Sequence, residues 1–146
     1  TRTHVLALDI NARACALTQR TAAANAVKVD VARGDLCAAL RSNTVDALIF
    51  NPPYVPTPDA EVGSSGIEAS WAGGLRGRRV LDRLLPHVPR VLAARGRFYV
   101  VVVAENDPAS IISYLEARGL AGTTVARTKA RNESLAVLRF VRGASA

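Results

Sequence analysis

The strand-like run Val45-Asp46-Ala47-Leu48-Ile49-Phe50 ends abruptly at Asn51-Pro52-Pro53-Tyr54. Two consecutive prolines cannot continue a β-ladder, because each lacks an N–H donor and fixes φ near about −65°. The strand must stop at Asn51, and the next three residues form a rigid, extended turn at its carboxyl end. Open α/β sheets bind their ligands at that end. Asn51 brings a side-chain amide, Pro52 a carbonyl with no N–H beside it, and Tyr54 a flat ring. Together these offer two acceptors for the hydrogens of a planar –NH2 group and a face to stack on it. The turn therefore predicts group transfer onto an amide or amine nitrogen.

The pattern on either side is that of an α/β chain. Val5 to Asp9 is an apolar run ending in an acid, and Asn11 is placed to cap a helix over Ala12 to Ala24 that ends at Asn25. Val27 to Ala32 reads as a strand ending at Gly34-Asp35, with a short helical turn over Leu36 to Leu40. After the proline turn, Val55 to Gly77 is rich in Pro, Gly and Ser. A stretch of that length in a compact domain predicts a functional loop, here facing substrate and anchored by Ile67 and Trp71. A helix is expected from about Leu75 to Ala93, distorted in its second half by Pro86 and Pro89. A central strand is expected over Arg97 to Val103. Asp107-Pro108 opens a helix running to Arg118 with Gly119 at its end. Gly122 to Arg127 and Ser134 to Val141 are expected to pair as a hairpin across Thr128 to Glu133. Strands alternating with helices predict one domain, spanning 1–146, with a mostly parallel sheet and one antiparallel strand at the end.

No apolar stretch reaches the roughly 18 residues of a membrane helix, and no membrane partner is expected. Of the 19 basic residues, only Lys28 and Lys129 are lysines, and the net charge is +7. Such a balance suits an acidic partner. The arginines are scattered, however, and lack the interleaved aromatics of single-strand binders, so nucleic acid is a partner the sequence allows but does not favour. Arg76, Arg78 and Arg79 either meet an acidic partner surface or begin a solvated helix. Glu105 and Asn106 either face substrate or complete a turn. Cys15 and Cys37 lack ligand spacing and are expected to be free thiols, as in the cytoplasm or the nucleus.

Three strands end in polar residues, at Asp9, at Asp35 and at Asn51. In a parallel sheet such ends share one edge. A carboxylate at Asp9 suits a ribose diol, because it can accept from two hydroxyl hydrogens. Asp35 followed by Leu36 suits an adenine, with the carboxylate on the exocyclic amine and the leucine against the ring. Each acid also has a plainer role open to it, as a helix cap for Asp9 and as turn chemistry for Asp35.

These residues resemble the class I S-adenosylmethionine-dependent methyltransferases that methylate amino and amide nitrogens, in which an Asn-Pro-Pro-Tyr turn closes the fourth strand. Phe50 to Pro58, Gly63-Ser64-Ser65-Gly66-Ile67-Glu68-Ala69, Trp71-Ala72-Gly73-Gly74, Gly77-Arg78 and Gly119 to Thr124 extend the likeness over about residues 4 to 141. They resemble the HemK-like branch of eukaryotes and archaea. The resemblance implies a Rossmann-like fold. It also implies methylation of the side-chain amide of the glutamine in the Gly-Gly-Gln tripeptide of a class I translation termination factor. The implied cofactor is S-adenosylmethionine, and the implied partner is a small zinc-binding activator subunit forming a heterodimer. By the same resemblance Asp9 corresponds to the ribose ligand, and Asp35 with Leu36 to the adenine pocket. Asn51 is then the catalytic asparagine bordering the methionine part, and Pro52, Pro53 and Tyr54 hold the target amide.

The chain departs from that family in one respect. The strand ending in a glycine-rich turn that begins such domains is absent, and the chain opens without methionine. An N-terminal segment is therefore expected in the parent protein, with this chain as the C-terminal part of the catalytic domain. Weak or no cofactor binding is expected of this chain alone. Two other readings stay open: methylation of adenine exocyclic amines in DNA or RNA, and a non-catalytic methyltransferase-like partner subunit.

Overall fold

The computed structural model describes residues 3–63, 67–130 and 133–143. The chain divides into two compact units, Thr1–Leu40 and Arg41–Ala146.

The first unit is a β-α-β crossover. Strand β1 (Leu6–Asp9) pairs in parallel with β2 (Asp30–Arg33), Asp9 opposite Arg33. Helix α1 (Ala12–Ala24) joins them. Asn11 caps it as expected, its Oδ1 accepting from Arg13 N–H at 2.8 Å and Ala14 N–H at 3.4 Å, which satisfies donors that have no partner within the helix. β2 is shorter than the sequence suggested. The residues after it form turns rather than a helix, with Ala38 N–H on Asp35 O and Leu40 N–H on Cys37 O. Leu36 itself has a φ of 52°, which a helix cannot absorb.

In the second unit, β3 (Val45–Phe50) pairs in parallel with β4 (Leu92–Val103). The hairpin of β5 (Leu120–Ala130) and β6 (Glu133–Arg142) joins through β6, which is antiparallel to both of its neighbours, giving the order β3-β4-β6-β5. β6 is the one antiparallel strand that the alternation predicted. The hairpin strands run further than expected, and their connection at 131–132 lies outside the described residues.

The expected helix over Leu75 to Ala93 is broken into pieces. A 3-10 turn (Leu75–Gly77), α2 (Arg79–Leu84), a second 3-10 turn (Leu85–His87) and α3 (Val88–Val91) follow one another. Gly77, at φ 66°, interrupts the start, and Pro86 and Pro89 each remove a helical donor. β4 then begins at Leu92, five residues early. Val45 pairs with Leu92 and Ala47 with Arg97, so the register shifts between them, with Arg95 in the left-handed region at φ 62°.

The core of this unit follows from alternation. Phe98, Val100 and Val102 of β4 and Ala136, Leu138 and Phe140 of β6 are buried. Phe98 and Phe140 face one another in the ladder, their rings stacked at 5.9 Å between centroids. Ile111 and Leu115 of α4 (Pro108–Glu116) are buried as well, with Leu81, Leu84, Leu85, Val88 and Val91 before β4 and Leu92, Val103 and Leu120 at the strand ends. Asp107 caps α4, accepting from Ser110 N–H at 3.3 Å. No helix among the described residues is long and apolar enough to cross a membrane.

Candidate functional site

The predicted site residues are divided between the two units. Asp9, Asp35 and Leu36 belong to the first. Because β1 and β2 are parallel and in register, Asp9 and Asp35 stand at the same end of the pair, and Gly34 N–H donates to Asp9 O at 2.9 Å. Both acids are exposed and Leu36 is half-buried. Asp9 does not cap α1. Its Oδ1 instead accepts from the N–H of the cap residue, Asn11, at 2.7 Å. That bond steadies the carboxylate while leaving most of its acceptor capacity for another donor.

Asn51, Pro52, Pro53 and Tyr54 leave β3 in the second unit. The backbone from Tyr54 onward is fastened, residue after residue. Tyr54 O accepts from Asn106 Nδ2 at 3.0 Å. Val55 N–H donates to Trp71 O at 3.0 Å, and Val55 O accepts from Gly73 N–H at 2.8 Å, a one-residue parallel bridge between Val55 and Ala72. Thr57 N–H donates to Gly74 O, and Thr57 Oγ1 accepts from Gly74 N–H, both at 3.2 Å. The two groups before this clasp differ: among the described residues, Asn51 Oδ1 and Pro52 O accept no hydrogen bond. Pro52 is buried while Asn51 is exposed. The turn thus holds an amide oxygen and a carbonyl oxygen in fixed backbone, both with acceptor capacity unfilled.

The segment after the turn is more ordered than its composition suggested. It forms 3-10 turns over Asp59–Glu61, Ile67–Ser70 and Leu75–Gly77, with residues 64–66 outside the description. Its expected anchors are not anchors: Ile67 is 75% exposed and Trp71 41%. The buried residues are Ala72, Gly73, Gly74 and Gly77. Backbone packing, not side-chain insertion, holds this segment down. A β-carbon on Gly73 would lie 2.4 Å from Pro53 O, a distance only glycine permits.

Two arginines of the 76–79 cluster are committed inside the chain. Arg78 donates to Asn106 O at 3.1 Å, to Ser110 Oγ at 2.5 Å and to Asp82 Oδ1 at 2.9 and 2.6 Å. Arg79 pairs with Asp59. The Arg79 hydrogen bond, with help from the Leu75 N–H, holds the Asp59 carboxyl below the usual carboxylate range, and the same pair raises Arg79. Asn106 does not face a substrate. It is fully buried, and its place in the site carried no signal in the sequence beyond following a strand end. A cleft lined by Val103, Pro108, Arg127, Lys129 and Leu135 opens at the carboxyl end of β4 and includes none of the predicted residues. No cluster of metal-ligating side chains occurs among the described residues.

The family model described as "Methyltransferase small domain" matches residues 1–65. The methyltransferase HEMK2 of Homo sapiens is 47% identical over 137 residues, covering 92% of this chain and 64% of that protein. The eRF1 methyltransferase catalytic subunit mtq2 of Schizosaccharomyces pombe is 42% identical over 102 residues, covering 68% and 44% respectively. The chain thus spans a little under two thirds of the first relative's length and under half of the second's. In fold it is similar to the structure of the E. cuniculi Mtq2–Trm112 complex, which is responsible for the methylation of the eRF1 translation termination factor. The TM-score is 0.68 at 24% identity, over 95% of this chain and 84% of that one.

Proposed function

We propose, from the premise that this chain belongs to the HemK-like class I methyltransferases, that its parent protein methylates a glutamine side-chain amide. The acceptor is the glutamine of the Gly-Gly-Gln tripeptide in a class I translation termination factor. A small zinc-binding activator subunit is its partner, in keeping with the two-protein Mtq2–Trm112 complex of E. cuniculi.

One observation carries the reading. Asn51 Oδ1 and Pro52 O stand with unfilled acceptor capacity at the end of β3, while the backbone following them is fastened to Asn106 and to Trp71–Gly74. A primary amide has two hydrogens to donate, and these two oxygens can accept one each. Their pull orients the amide and shifts electron density toward its nitrogen. The half-buried Tyr54 ring keeps the amide plane in register.

The first unit suits the nucleoside of S-adenosylmethionine. Asp9, exposed and steadied by Asn11 N–H, would hold the ribose diol, and Asp35 with Leu36 would hold the adenine. When bound, S-adenosylmethionine would supply a methyl group already activated by its sulfonium, for transfer to the amide nitrogen with release of the thioether and loss of the amide proton. The chain's own task is then alignment of a poor nucleophile, which can lower the barrier by roughly 7–11 kcal/mol.

The test is incubation of the intact protein with its activator, labelled cofactor and either a termination factor or adenine-bearing oligonucleotides. Mass spectrometry of the products should place one methyl group on the Gly-Gly-Gln glutamine. Labelling of the oligonucleotides alone would replace this reading with adenine methylation, and labelling of neither would favour a non-catalytic subunit.

A further inference from the structure

We infer that Asn106 is a positioning residue, which sets the Pro52 carbonyl by gripping the far end of the turn; its catalytic consequence rests on the function proposed above. Asn106 ends the 3-10 turn Ala104–Asn106 that follows β4, and its side chain has no exposure to solvent. A buried amide of this kind costs free energy unless every group is satisfied, and here every group is. Its Oδ1 accepts from Val103 N–H at 2.8 Å. Its Nδ2 donates to Tyr54 O at 3.0 Å and to Arg76 O at 2.8 Å, with Gly77 O at 3.4 Å. One side chain thus joins the end of β4, the proline turn and the glycine-rich segment, across 52 and 30 residues of sequence.

Asn106 is itself braced. Arg78 donates to its main-chain oxygen and to Ser110 Oγ on α4, and is held in turn by Asp82. β3 and β4 are parallel neighbours, Phe50 opposite Val100, so the turn leaves β3 beside the point where Asn106 follows β4.

The prolines make this grip consequential. Between Phe50, the last residue of the ladder, and Tyr54 O there are few free torsions, because Pro52 and Pro53 have fixed φ. Holding the Tyr54 carbonyl therefore holds the Pro52 carbonyl two residues earlier. A buried asparagine that merely satisfied loop carbonyls would affect stability. One that fixes the acceptor must also affect turnover.

The experiment compares the intact parent protein with its Asn106→Asp and Arg78→Lys variants. The first is nearly isosteric, keeps the acceptor for Val103 N–H and removes the donors to Tyr54 and Arg76. The second leaves the buried amide in place and weakens its brace, so it remains informative if Asn106→Asp does not fold. Amide hydrogen exchange is followed at Val55 and Gly73, with kcat and KM for the termination factor and calorimetric affinity for S-adenosylmethionine. The inference expects faster exchange at Val55 and a kcat lower by on the order of 10²-fold in Asn106→Asp, a smaller change of the same kind in Arg78→Lys, and KM and cofactor affinity held. It is overturned if the folded variants keep the parent's kcat, or if kcat falls with exchange at Val55 unchanged. Should the parent transfer no methyl to glutamine, the proposed function fails, and exchange at Val55 and Gly73 still decides whether Asn106 holds the turn.

Discussion

Gly77 lies so close against Tyr54 that a β-carbon placed on it would sit 1.8 Å from the Tyr54 carbonyl oxygen and 2.6 Å from Asn106 Nδ2. The first obstacle is backbone, which cannot swing aside as a side chain would. Gly77 also has a φ of 66°, a region that disfavours any L side chain. Gly77→Ala should therefore destabilise the intact protein by roughly 2–4 kcal/mol, overpacking and left-handed strain acting together. Urea unfolding followed by circular dichroism measures it, and an unchanged midpoint would mean that the clasp around Tyr54 is looser than described.

The Phe98–Phe140 stack should dominate the energetics of the β4–β6 ladder. Both rings are fully buried and sit opposite one another. Phe140→Ala should cost about 3–5 kcal/mol, the usual range for emptying a buried aromatic site. Val125→Ala on β5, where Val125 is 44% exposed, should stay within about 0.5 kcal/mol of the parent. Equal effects in denaturant unfolding would contradict the assignment of the core to the face bearing Phe98 and Phe140.

Acid should loosen the segment after the turn. Asp59 accepts from Arg79 and from Leu75 N–H at 3.3 Å, and its carboxyl is held below the ordinary range chiefly by the Arg79 hydrogen bond. For a depressed carboxyl the contribution to stability is complete above the unfolded-state pKa and is lost as pH falls through the folded-state value. Both partners are exposed, so the effect is local and screened by salt. Hydrogen exchange at Leu75, corrected for the intrinsic pH dependence, should lose protection as the pH drops through the acid end of the carboxylate range. Asp59→Asn should lack that step, and its persistence in the variant would assign it to another group.

The sequence made the alternation of elements, the end of β3 at Asn51, the cap at Asn11 and the antiparallel β6 readable, because each rests on a local rule of periodicity, missing donors or capping. It also marked the residues that resemble a cofactor and acceptor site. Asn106 was not readable as a clasp: its partners are carbonyls 30 and 52 residues away, and carbonyls leave no trace in a sequence. For the same reason the sequence points to Ile67 and Trp71 as anchors, whereas the segment is held by its backbone at glycines. The broken helix before β4 was half legible. Pro86 and Pro89 announced the distortion, but the early start of β4 depends on the register shift around Arg95 and Gly96, which only pairing with β3 defines.

Asn51 is the residue whose substitution separates the acceptor role from every structural one. Its side chain is exposed and makes no hydrogen bond among the described residues, so Asn51→Ala should leave the unfolding midpoint near that of the parent. If its Oδ1 accepts from the substrate amide, the same variant loses one of the two groups that orient the nitrogen. Its kcat should then fall by on the order of 10²-fold or more, since misplacement of a reacting group by about 1 Å has that effect. Asn51→Asp keeps oxygen acceptors at the same distance along the side chain, while giving up the Nδ2 donors and adding a negative charge. It should therefore retain more activity than Asn51→Ala, in the order Asn, Asp, Ala. Single-turnover measurements at saturating termination factor isolate the methyl-transfer step from binding. The reverse order for Asp and Ala would show that Asn51 acts as a donor, and turnover equal to the parent's in both variants would remove the side chain from the reaction altogether.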